Sequence, residues 1–107
     1  MKTLMTTAAL MMGLAVAAPA QAQDALQEEY CSALAEVAGA TMELRQLGAP
    51  LELGLDMAQT AHPMIRPQAL QLVGRAWQST IVAPHLKYDA AVVFAGRAYV
   101  GCMRTQF

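Results

Sequence analysis

The sequence predicts an all-α fold, a bundle of about four short helices stapled by one disulfide. Apolar residues recur at three- and four-residue intervals through residues 23–107, and no stretch alternates as a half-buried strand does. Glycine and proline punctuate the periodic stretches at Gly48-Ala49-Pro50, His62-Pro63, Arg66-Pro67 and Pro84. The two cysteines, Cys31 and Cys102, stand near opposite ends of that region, so a bond between them would tie the first helix to the last.

Residues 1–22 read as a secretory signal. They hold 15 apolar residues and a single charge, Lys2. Lys2 and the amino terminus form a positive start, Ala8 to Ala18 an apolar stretch, and Ala20-Gln21-Ala22 a small-residue cleavage site. Cleavage after Ala22 would make Gln23 the first residue of a single helical domain, 23–107. The apolar stretch is shorter than the roughly 20 residues a membrane span needs, and no second one follows, so no stable membrane span is expected. Cys31 follows Glu28-Glu29-Tyr30 in place of a lipobox, which argues against a lipid anchor.

Helix 1 is expected to begin at Asp24, with Gln27 completing a capping box. Leu26, Tyr30, Leu34, Val37, Thr41 and Leu44 form its stripe, with Cys31, Ala38 and Met42 beside it, and Gly48 ends it as a C′ glycine. Pro50 suits the first turn of a short helix 2, with Leu51, Gly54, Leu55 and Ala58 facing one way. The two X-Pro pairs then break the chain. Pro67 opens helix 3, with Leu70, Val73, Trp77 and Ile81 as its buried stripe and Pro84 as its end. Helix 4 is expected to run from about Lys87 or Tyr88 to about Arg104. Ala91, Phe94, Ala95, Ala98 and Cys102 form its inner face, flanked by Val92 and Tyr99. Gly96 and Gly101 weaken it by up to about 1 kcal/mol each unless they permit close packing.

Charge is segregated. Residues 23–60 carry seven acids against Arg45 alone, whereas residues 61–107 carry five bases against Asp89. Packed helices of opposite sign account for this, and so does a surface with an acidic and a basic pole. With one tryptophan, few aromatics and no basic cluster, nucleic-acid binding has no support. In an exported chain, two cysteines are most simply one disulfide, and the close CxxC spacing of redox or metal thiols is missing.

Candidate chemistry is sparse. His62-Pro63-Met64, with Met57, is the one local grouping of imidazole and thioether ligands, which suit copper or a heavy metal. The plainer reading makes the methionines gap-fillers and His62 a solvated turn residue, so no metal and no cofactor is expected. Ser32 and Ser79 sit in helical stretches with no strand-turn-helix elbow, and Glu28 and Glu29 diverge on a helix, so no enzyme is expected. Arg45, in the last turn of helix 1, offsets the helix dipole and can reach free carbonyls, or else presents its guanidinium to a carboxylate on a partner. Gln46, Trp77 and the Tyr88/Tyr99 pair are further candidates for a partner surface, with core or rim packing as the alternative.

The pattern Cys31-x2-Leu34-Ala35-x2-Ala38-Gly39-x2-Met42-x2-Arg45-Gln46-x-Gly48, followed by Trp77-x6-Pro84 and Phe94-x4-Tyr99-x2-Cys102, resembles a group of small exported proteins of Gram-negative bacteria. The likeness spans Cys31 to Cys102, and its most specific element is Met-x2-Arg-Gln-x-Gly between bracketing cysteines. Trp77 stands where Tyr is the more usual residue. The resemblance implies a helical fold and a periplasmic location, and it brings no activity or cofactor. Charged residues make up only 16% of residues 23–107, so a domain this short is expected to leave apolar surface for an envelope protein or a copy of itself. Two other functions are compatible with the sequence: a stress chaperone similar to the small acid-stress chaperones of the periplasm, and a metal binder using His62 and Met64.

Overall fold

In the computed structural model, which describes the backbone of residues 2–105 and the side chains of residues 24–105, the helical periodicity becomes four α-helices. They are α1 (Lys2–Gln46), α2 (Leu51–Gln59), α3 (Arg66–Gln78) and α4 (Lys87–Thr105), with a 3-10 turn, Pro84–Leu86, leading into α4. Among the described residues there is no strand. The expected leader and cleavage site, residues 1–22, lie outside the residues whose side chains are described.

Asp24 lies within α1 and does not cap it. Amides that a capping box would satisfy are helix-interior amides there. Gln27, the other half of the expected box, instead donates from Nε2 to the Met103 carbonyl at 3.1 Å and ties α1 to the end of α4. The far end of α1 matches expectation. Gly48 takes φ +78°, its N–H donates to Arg45 O at 2.9 Å, and the Ala49 N–H donates to Leu44 O at 3.0 Å. That pair of bonds is a Schellman motif, and the left-handed φ is why the residue is glycine.

α1 is the central element. α2, α3 and α4 all pack against it, while among the described residues no Cα of α3 comes within 8 Å of one in α4. The four helices therefore leave a cleft between α3 and α4. Flanked on two sides, α1 buries Cys31, Leu34, Ala38, Thr41, Met42 and Gln46, and leaves Leu26 exposed. The expected stripe is displaced accordingly.

α3 departs furthest from the expectation. Its buried residues are Ala69, Leu72, Val73 and Ala76, while Leu70 is exposed and Trp77 half-buried. Small Ala69 and Ala76 permit the close approach that Leu70 would block. The helix stops at Gln78, six residues before Pro84, and Ile81 is exposed in an extended segment. The β-branched run Thr80-Ile81-Val82 favours that extended backbone. In α2, Gly54 and Ala58 are buried but Leu51 is exposed. A Cβ on Gly54 would lie 2.7 Å from the Trp77 ring, so glycine is what lets α2 lie on α3.

The expected disulfide is present. Cys31 and Cys102 have Cα atoms 5.5 Å apart and close a separation of 71 residues. Both are buried, in a cluster with Leu34, Ala38, Ile65 and Leu72 that Tyr30, Phe94 and Tyr99 flank. Loop-closure entropy at this length stabilises the fold by about 4 kcal/mol.

Candidate functional site

The Met-x2-Arg-Gln-x-Gly run proves to be a clamp. Arg45 donates from Nε to Ser79 O at 3.1 Å. Gln46 donates from Nε2 to Thr80 O at 3.0 Å, and its Oε1 accepts from the Val82 N–H at 2.9 Å. The same Nε2 lies 3.4 Å from the Met42 sulfur. Lys87 closes the arrangement by donating from Nζ to Gln46 O at 2.7 Å. The extended segment 79–83 thus takes its partners from the end of α1, as backbone outside a helix must. Gln46 is only 2% exposed, so its amide is not presented to a partner. Sequence reasoning singled out Arg45 and Gln46 but missed Lys87 and the segment they hold.

The other expected partner residues also face inward in part. Trp77 is half-buried and packs on Met42, Ala58 and Val73 with their neighbours. Tyr99 is half-buried against the disulfide cluster. Tyr88 is the exception, at 76% exposure.

At the turn after α2, His62 Nδ1 accepts the Met64 N–H at 3.1 Å, which leaves only Nε2 for any other ligand. Met64 is exposed, and Met57 is half-buried on α2. Among the described residues no group of three or more His, Cys, Asp or Glu side chains is placed to hold a metal ion. His62 and Met64 border a largely apolar hollow of about 510 Å³ with Leu26, Tyr30, Ala33 and Ile65.

Two further grooves flank α4. On one side, the cleft between α3 and α4 has a volume of about 270 Å³, a floor of Leu34, Leu72 and Cys102, and Arg75 and Arg97 at its walls. On the other, a groove of about 460 Å³ runs between α1 and α4. Its floor is small, with Ala35, Gly39, Ala91 and Ala95, and its edges are Glu36 and Glu43 facing Tyr88 and Val92. Outside this groove the solvent face of α4 carries a row of apolar residues with the exposed Asp89 among them. Tyr88, Val92, Gly96 and Val100 follow one another at four-residue steps with Val93 alongside, and all are exposed. Fourth neighbours share a helix face, so these residues form one ridge. Of this face, the sequence reading named Tyr88, Val92 and Gly96 but not Val93 or Val100, and it placed Val92 beside the inner face, since an apolar residue in a short chain is first assigned to the core.

No protein-family model, curated protein sequence or solved structure matches the chain. What defines it is architecture: a small all-α chain closed by a disulfide between its first and last helices, carrying an apolar ridge on the last. Among the described residues no helix is long and apolar enough to cross a membrane.

Proposed function

We propose that this is an exported, periplasmic protein that acts by binding another protein, with the outer ridge of α4 and the adjoining α1–α4 groove as its contact surface. The observation that carries the reading is the exposure of Tyr88, Val92, Val93 and Val100 together on one helix face. Single exposed apolar residues are ordinary, whereas a contiguous row bordered by charge is the composition of a contact surface. Asp89 is the one charge between Tyr88 and Gly96, and Arg97 and Arg104 stand at the margin. The disulfide and the leader-like first 22 residues support export.

A photo-crosslinking residue placed at Val92 in the living cell tests this. Adducts are expected from Val92 and not from Gln59, an exposed position on α2. Absence of any Val92 adduct would overturn the assignment of this face.

A further inference from the structure

We infer that the occupant of this face is a second copy of the same chain, related by a two-fold axis parallel to α4, with Glu29 and Glu36 of each copy paired to Arg104 and Arg97 of the other. The inference rests on the outer ridge of α4 being the contact surface and adds its partner and orientation.

The argument is one of charge and register. The ridge has an acidic margin and a basic one. On the α1 side Glu36 and Glu43 edge the groove beneath Tyr88 and Val92. Glu29 lies seven residues before Glu36, two helical turns along α1, and is likewise exposed, where it also borders the hollow beside His62 and Met64. On the far side are Arg97 and Arg104, also seven residues apart and exposed. Arg97 faces away from α1, lining the α3–α4 cleft.

The two margins are in step. The helices run antiparallel, with Cys31 level with Cys102 through the disulfide. A Cβ on Gly39 would sit 3.5 Å from that of Ala95, which keeps the same register further along. Glu36 is five residues past Cys31, and Arg97 is five before Cys102. Glu29 is two residues before Cys31, and Arg104 is two past Cys102. Glu36 and Glu29 are therefore level with Arg97 and Arg104 across the ridge to within about one helical rise, 1.5 Å, whereas Glu43 on the same margin has no arginine opposite.

Level pairs on opposite margins have a single symmetric use. A two-fold axis along α4 carries the acidic margin of one copy onto the basic margin of the next at the same height, twice over, with the apolar ridge between. A two-fold axis perpendicular to α4 would bring acid to acid and base to base. The pairing predicts a reversible dimer that salt weakens, because the charges are exposed.

Sedimentation of the oxidised protein as isolated, from about 5 to 500 μM, tests the proposal, with thermal melts confirming that each variant is folded. The expected result is a monomer–dimer equilibrium. Arg97→Glu with Arg104→Glu should weaken it about tenfold or more, and adding Glu29→Arg with Glu36→Arg to the same chain should restore it. A monomer throughout, an arginine-swap variant that dimerises as well as the parent, or a fourfold swap that does not recover would each overturn the proposal. Mapping the Val92 adduct gives an answer that needs no variant charge. Attachment to the partner copy near its own Val92 supports the parallel arrangement, and attachment near Val100 overturns it. Adducts solely to an unrelated protein would remove the second copy while leaving the surface assignment standing, whereas no adduct at all removes both.

Discussion

The two faces of α4 are made of opposite materials. Against α1 the helix presents Ala91, Ala95, Ala98 and Cys102, and α1 answers with Gly39. Toward solvent it presents Tyr88, Val92, Val93 and Val100. A solitary domain seeking the deepest burial would place the larger apolar groups inward, at about 25 cal/mol for each Å² removed from water. Here the strip nearest α1 is built for close approach, near enough for a disulfide, with Phe94 and Tyr99 packed at its edges, while Tyr88, Val92, Val93 and Val100 remain outside. The difference teaches that intramolecular packing of α4 is governed by backbone proximity and its covalent tie, leaving apolar surface over for contact with another molecule.

The first way to break this comparison is to remove the tie. Cys31→Ser should cost about 4 kcal/mol and lower the melting midpoint by about 15–30 °C, followed by circular dichroism. Reduction of the parent protein should lower the midpoint in the same direction. An unchanged midpoint in both experiments would mean that side-chain packing alone holds α4 to α1.

Enlarging a residue on each face comes next in size. Ala91 is 3% exposed, in contact with the Met42 and Ala76 cluster. Ala91→Leu forces a larger side chain between closely approached helices and should cost about 1–3 kcal/mol in denaturant unfolding. The same unfolding experiment on Val92→Leu, one residue away on the open face, should show a change within about 0.5 kcal/mol. Equal losses at the two positions would erase the distinction between the faces.

How much of this was legible in the sequence follows from the range of the forces involved. The end of α1 was readable because a Schellman turn depends on Gly48 and its immediate neighbours. The disulfide was readable because the sequence holds two cysteines, which allow one pairing. The end of α3 was not. Nothing between Gln78 and Pro84 is a strong helix breaker, and the segment is extended because Arg45, Gln46 and Lys87, remote in sequence, satisfy its backbone or fasten the clamp. The α3 stripe was misplaced for a related reason: periodicity alone cannot rank Leu70 against Ala69 when the partner helix demands a small contact. At the surface, the seven-residue spacing of Glu29/Glu36 and Arg97/Arg104 was present in the sequence, but their equal heights emerge only once Cys31 and Cys102 set the antiparallel register. The Arg45–Gln46 run was noticed for the right residues, and its role as a clamp required seeing where the 79–83 backbone passes.

The smallest effect separates the faces most finely. Gly96 and Gly101 both lie in α4, both are exposed, and a Cβ on either would meet nothing within 4 Å. Replacing either with alanine should therefore add about 0.5–1 kcal/mol to stability, because glycine gives up more chain entropy in a helix and no neighbour resists the methyl group. Their consequences for association should differ. Gly96 lies within the row of Tyr88, Val92 and Val100, on the face proposed for contact, whereas Gly101 borders the α3–α4 cleft. Gly96→Ala should raise the melting midpoint while weakening self-association, and Gly101→Ala should raise the midpoint alone. Concentration-dependent sedimentation run beside the melts reads both quantities on the same samples. Equal weakening at the two positions would place the contact around the whole of α4, and no weakening at either would move it off the ridge.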